Sequence, residues 1–244
     1  MSQPQAGPRR VRPRSASFVL LAVIAVIYLL SAVISLPFGG GLTQPSFAVL
    51  VLLGAKVNEL IAAGQFWRLI TATFLHAGIA HIAFNGFALF SLGPEAERIY
   101  GTRRFLALYL ISGLGGSVAS YAFSPAPAVG ASGAVFGLIG GLTAFYYFSR
   151  KTLGDFGRAQ IQSMLAIVGI NLVIGFLGQS YIDNWGHIGG LFSGLLVGAA
   201  LAPRLVIDVY VFPPGLVRSY PRQGWLWSLA LVLSLLSAVL MVPS

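Results

Sequence analysis

Stretches with no charged side chain, each about as long as a bilayer is thick, recur along this chain and leave it few folds to adopt. From Ser15 to Ala55, and again from Phe105 to Ser149, there is no Asp, Glu, Lys or Arg. A hydrocarbon core of about 30 Å is crossed by about 20 apolar residues in a helix. Measured against that length, the uncharged runs predict seven spans: Phe18 to Leu36, about Ile79 to Gly93, Phe105 to Phe123, about Ser132 to Ser149, about Ile161 to Leu177, about Trp185 to Ala202, and Trp225 to Val242. Composition agrees, with 9% of residues charged, 57% hydrophobic and a mean hydropathy of +0.84. An average soluble domain is about a quarter charged. So little polar surface cannot clothe a globule in water, whereas a lipid-facing surface needs none. The expected class is an all-α polytopic membrane protein. The chain has no cysteine, which excludes disulfides, a thiolate nucleophile, iron–sulfur clusters and Cys-based zinc sites.

The net charge of +9 would suggest nucleic acid in a soluble chain, but here the cations fall in short clusters between apolar runs. That is a topology signal, because cytoplasmic loops carry the excess of Lys and Arg, and no nucleic-acid partner is implied. Arg9, Arg10, Arg12 and Arg14 precede the first span. Alternate connections then carry Arg98, Arg103 and Arg104; Arg150, Lys151 and Arg158; and Arg204, Arg218 and Arg222. Thirteen of the fifteen basic residues thus lie on one side, leaving only Lys56 and Arg68 on the other. The pattern predicts a cytoplasmic N-terminus and an external C-terminus. The first span is long for a signal-peptide core, and no convincing small-x-small cleavage site follows it. The long external connection, Pro37 to about Gly78, contains Phe47 to Leu53 and Leu60 to Ile70, which suit segments lying in the interface.

Ionisable groups inside spans are expensive and mark function. All six carboxylates, Glu59, Glu95, Glu97, Asp155, Asp183 and Asp208, fall in predicted loops or at span ends. An intramembrane aspartyl protease needs two carboxylates in the bilayer and a proton-coupled carrier usually one, so both readings weaken. His76, His81 and His187 remain. Zinc proteases place two His four apart around a Glu; His76 and His81 are five apart with none between, so no metal is expected. A single intramembrane His can equally serve as an interhelical hydrogen bond.

Ser132 changes that balance. It lies in Gly130-Ala131-Ser132-Gly133 at the outer end of the fourth span, at a depth similar to His187 on the sixth. A serine hydroxyl becomes a nucleophile when a neighbouring imidazole takes its proton. Gly133, Gly137 and Gly141 on one span and Gly186, Gly190, Gly194 and Gly198 on the other have the spacing that lets two helix backbones approach closely, although such stripes also serve plain packing. Phe136, one turn after Ser132, is placed to stack on the His187 ring. Oxyanion donors are available at the same depth: His81 and Asn85, one helical turn apart on the second span, and the Ser132 N–H at a helix start.

With these residues in place, the sequence resembles the rhomboid family of intramembrane serine proteases. The matching elements are Trp67-Arg68, then His76, His81 and Asn85, then Glu97-Arg98 with Gly101, then Gly130-Ala131-Ser132-Gly133 with Phe136, and Gly186-His187-Ile188-Gly189-Gly190 with Gly194. They occur in the family's order from about Leu60 to Gly198. The resemblance implies a rhomboid-like six-helix bundle with an extra C-terminal helix, and divides the chain into a basic tail (1–17), a catalytic core (18–203), a cytoplasmic linker (204–224) and a seventh helix (225–244). It implies Ser132 as nucleophile and His187 as base in a dyad without an acid, since Asp183 lies at the external edge. His81, Asn85 and the Ser132 N–H would hold the oxyanion, and Gly130 and Phe136 would line the site. Trp67, Arg68, His76, Glu97, Arg98, Gly190 and Gly194 match scaffold positions. No cofactor is needed; the partners would be transmembrane protein substrates within a lipid bilayer. The dominance of Arg over Lys and the short loops suggest a bacterial plasma membrane, with the site opening externally. Two rivals remain: a silent rhomboid-like protein that binds membrane clients, whose signature would be a replaced Ser or His, and a small-solute transporter, which would show inverted repeats or midplane charges.

Overall fold

The computed structural model describes residues 15–177, 182–208 and 215–242. The four N-terminal arginines of the predicted tail lie outside them. Helices α1 (Ala16–Ser35), α5 (Ile79–Tyr100), α6 (Thr102–Phe123), α7 (Ser132–Leu177), α8 (Asn184–Leu201) and α9 (Gly224–Met241) form the bundle, and three short helices, α2 (Phe47–Leu53), α3 (Asn58–Ala62) and α4 (Arg68–Thr71), fill the first long connection. Among the described residues, four helices are long and apolar enough to cross a membrane: Ala16–Phe38, Thr102–Phe123, Ser132–Leu177 and Gly224–Met241. A fifth crossing results if Arg68–Phe74 and Ile79–Tyr100, bent by 91° at their junction, count together. The outward surface carries Leu29, Phe84, Leu165, Leu177 and Leu229, all exposed. Such a surface suits hydrocarbon and no aqueous solvent. The protein is an all-α polytopic membrane protein in its bundle.

Helix ends account for most differences from the sequence-based expectation. Glu97 and Arg98, expected in a loop, lie in the last turn of α5, which continues through Pro94 and stops at Gly101, whose φ of +76° terminates it. A helix need not end at the hydrocarbon edge; it ends where a residue turns the backbone. The placement gives Glu97 a task. Its carboxylate accepts from the Ala16 N–H at 2.9 Å, the Ser17 N–H at 3.1 Å, and the Ser15 and Thr102 hydroxyls at 2.5 and 2.8 Å. An acid from another helix thereby satisfies the free N–H groups at the positive end of α1. The fourth and fifth predicted spans are two arms of α7, joined at Gly154 (φ 56°, ψ −130°). A one-residue break suffices, so Arg150, Lys151 and Arg158 are helical and not part of a loop. The segment Leu60 to Ile70, expected as one interfacial run, is divided into α3 and α4 around Gly64, where φ is +96°.

One short sheet accompanies the helices. The linker after α8 forms a hairpin of β1 (Arg204–Asp208) and β2 (Gly215–Ser219), antiparallel, with Arg204 opposite Ser219. Aliphatic and β-branched residues, Leu205 to Ile207 and Leu216-Val217, favour pleated backbone. The hairpin joins the basic clusters at one end of the bundle. Arg218 Nη1 donates to the Arg98 carbonyl at 2.7 Å, the Arg204 guanidinium lies 3.5 Å from the Phe148 ring centroid, and Arg104 lies 3.8 Å from that of Tyr220. The opposite end holds the first long connection, the Ser124–Ala131 segment and the start of α8.

In the first connection, Arg68 is the anchor. Its Nη1 donates to the carbonyls of Val51 at 2.7 Å and Ala55 at 3.0 Å, and its Nε to Gln65 Oε1 at 2.8 Å. The guanidinium lies 4.7 Å from the Trp67 ring centroid. Carbonyls at and just beyond the end of α2 are thus paired by a buried cation.

Candidate active site

Helices α7 and α8 touch backbone to backbone. A methyl group at Gly190 would lie 2.0 Å from the Gly133 carbonyl oxygen, at Gly194 2.2 Å from that of Gly137, and at Gly198 2.6 Å from the Gly141 Cα. These are three successive turns of one seam, and small residues alone permit it. Ser132 opens α7 immediately before Gly133; His187 lies one turn before Gly190 on α8. The His187 ring is buried and stacks on Phe136 with centroids 4.2 Å apart and planes 8° from parallel. Its Nδ1 has no hydrogen-bond partner among the described residues. Asp183 is engaged elsewhere: its Oδ1 accepts from the Gly186 N–H at 3.0 Å, capping α8. Among the described residues no carboxylate is hydrogen-bonded to the imidazole Nδ1.

The far wall comes from α5. Gly130, two residues before Ser132, has φ +130°, and its N–H donates to the Ala72 carbonyl at 2.9 Å. A Cβ there would lie 2.7 Å from His81 Nε2 and 3.9 Å from Asn85 Nδ2. Glycine is therefore required twice over, by the backbone angle and by the approach of the imidazole. Asn85 is buried, and its Nδ2 donates to the His81 carbonyl at 3.0 Å. The His81 ring meets His76 edge-on at 5.1 Å, and His76 is fully buried. A small cavity beside Ser132 is lined by Gly130, Lys56, Ser117, Ser120 and Asp183.

The sequence-derived set thus divides. Ser132, His187, Phe136, Gly130, His81 and Asn85 converge at one end of the bundle, with Gly190 and Gly194 forming the seam beneath them. Trp67 and Arg68 brace the adjacent connection. Glu97 and Arg98 lie at the other end, where Glu97 caps α1 and Arg98 is solvent-exposed, 3.9 Å from Glu95. Sequence reasoning missed Asn184, whose Nδ2 donates to the Leu172 carbonyl at 3.3 Å and ties α8 to the second arm of α7. It also missed a role for Lys56, whose only sequence signal was its position as one of two external cations.

Fold and site define a class: a polytopic helical membrane protein in which a serine at a helix start and a buried histidine stand on two helices joined by a glycine seam, with a histidine and an asparagine of a third helix beside the turn before the serine. The family model described as "Rhomboid domain" matches residues 63–204. The rhomboid protease GluP of Bacillus subtilis (strain 168) is 49% identical over 166 residues, 68% of this chain and 32% of that protein. RHOMBOID-like protein 9, chloroplastic, of Arabidopsis thaliana is 34% identical over 64% of this chain and 36% of its own length, and RHOMBOID-like protein 1 of the same plant is 35% identical over 79% and 51%. The chain belongs to the rhomboid family. It spans between about a third and a half of the length of these curated relatives.

Proposed function

We propose that this chain is an intramembrane serine endopeptidase that hydrolyses peptide bonds in or beside the transmembrane segments of membrane-protein substrates. The observation that carries the reading is the His187 ring held flat against Phe136, one turn from Ser132 on a helix in backbone contact with its own. That stack fixes the orientation of a base beside a hydroxyl at a helix start.

In this reading Ser132 Oγ attacks the scissile carbonyl carbon and His187 takes its proton. The tetrahedral oxyanion is held by His81, Asn85 and the Ser132 N–H. Removing one such donor typically lowers kcat by about 10² to 10³. Collapse breaks the C–N bond, His187 returns the proton to the leaving amine, and an acyl ester remains on Ser132. Water, deprotonated by His187, then hydrolyses the ester. The substrate helix must unwind locally to offer its carbonyl, so small or helix-weakening residues are expected near the cut. Residues 18–203 form the catalytic unit and residues 225–244 a seventh helix. The basic end faces the cytoplasm, and Ser132 opens toward the external face of a bacterial plasma membrane. The test is labelling of the detergent-solubilised protein by a fluorophosphonate. Wild type should be labelled, and Ser132→Ala and His187→Ala should not. An unlabelled wild type, or labelling unchanged in Ser132→Ala, sinks the protease reading in favour of a silent client-binding protein.

A further inference from the structure

Lys56 is 1% exposed, although lysine is almost never fully buried without partners. Its Nζ donates to the carbonyls of Ser124 at 2.7 Å and Ala126 at 2.9 Å. Its own main chain pairs with Ala128 in an antiparallel bridge, N–H to carbonyl at 2.9 Å and the reverse at 3.0 Å. All three acceptors belong to the segment between α6 and α7 that delivers Gly130 and Ser132. That segment contains Pro125 and Pro127, which have no N–H, so two of its donors are missing. The Ser124 and Ala126 carbonyls are paired from outside, by one ammonium and by Asn58 Nδ2, which lies 3.2 Å from the Ser124 carbonyl and 3.2 Å from that of Tyr121 at the end of α6. Two residues beyond Ala128, the Gly130 N–H is held by Ala72, and the Gly130 Cα lies against His81. Lys56 therefore fixes the first part of the nine-residue stretch from Ser124 to Ser132, while its side chain borders the same cavity as Ser132 and Asp183.

We propose that Lys56 is a positioning residue of this site: its buried ammonium clamps the Ser124–Ala128 segment, and through it sets where Gly130 and Ser132 stand relative to His81 and His187. The inference rests on the protease reading for its kinetic consequence and on geometry alone for the clamp. A charge-assisted N–H to carbonyl bond is about twice as strong as a neutral one. A displacement of about 1 Å at reacting atoms costs about 10²-fold in rate.

Two readouts separate the parts. In Lys56→Met, of similar length but uncharged, fluorophosphonate labelling per folded molecule and kcat on a transmembrane peptide should fall about 10- to 100-fold, with KM changed less than about 3-fold. Amide exchange at Ala128 and Gly130 should accelerate, and Lys56→Arg should restore part of both. If Lys56→Met does not fold, Lys56→Gln, which keeps two N–H donors without the charge, is measured in its place. A global loss of stability would lower the folded fraction and leave labelling per folded molecule unchanged. That result, with unchanged exchange at Ala128 and Gly130, overturns the proposal. A wild type that is not labelled overturns the protease reading, and exchange at the two amides then decides the clamp by itself.

Discussion

The electrostatics of Lys56 make its burial a measurable burden on the fold. Burial pulls its pKa down to about 8, against the partial compensation of Asp183 and Glu59, from about 10.4 for a free lysine. Between those values the unfolded chain holds a proton that the folded chain has released. Stability therefore rises with pH through this window, by up to about 1.4 kcal/mol per unit, and below about pH 8 the full penalty of the buried charge is present. Lys56→Met has no such proton. The difference in melting temperature between wild type and Lys56→Met should shift in favour of wild type from pH 7.5 to pH 9.5; a difference that does not move with pH would remove the buried ammonium from the account. Side chains whose partners lie on helices were legible in the sequence: Ser132 with Phe136, and His81 with Asn85, declare a shared face by their spacing. Lys56 was not, because its partners are backbone carbonyls nearly 70 residues away, and a carbonyl leaves no mark in a residue type.

At the scale of elements, uncharged length found the helices, while their ends depended on single residues such as Gly101 and Gly154 that hydropathy does not weigh. The hairpin was missed because five-residue strands beside spans show too short an alternation to stand out. The glycine stripes were legible as pattern but not as contact, since the same spacing serves ordinary packing. The seam itself can be tested. Gly190→Ala sets a Cβ 2.0 Å from a carbonyl oxygen of α7, where only backbone can give way. Overpacking of this kind costs about 1–3 kcal/mol, and the melting temperature should fall by about 2–4 °C for each kcal/mol. Gly169→Ala, on the second arm of α7, meets nothing within 4 Å, and alanine's higher helix propensity should leave it neutral or slightly more stable. Equal effects from the two substitutions would contradict the close approach of α7 and α8.

For the whole molecule, the clusters of arginine are the sequence's statement about direction, and the structure supplies their common end. The start of α1, the turn between α5 and α6, the break at Gly154 and the hairpin all meet there through Glu97, Arg104, Arg204 and Arg218. An excess of Lys and Arg on one side holds that side in the cytoplasm, which predicts a cytoplasmic N-terminus, an odd number of crossings and an external end for α9. Because the chain has no cysteine, single-cysteine variants report on this without background. Gln44→Cys, in the exposed first connection, and Met241→Cys, at the exposed end of α9, should react with a membrane-impermeant maleimide on intact cells; Thr152→Cys, beside Gly154, should react only after permeabilisation. Protection of Gln44→Cys with reaction of Thr152→Cys would invert the orientation and turn Ser132 toward the cytoplasm. Protection of Met241→Cys alone would contradict the packing of Val239 against Ile61, Leu69 and Tyr121, which sets the end of α9 beside the first connection.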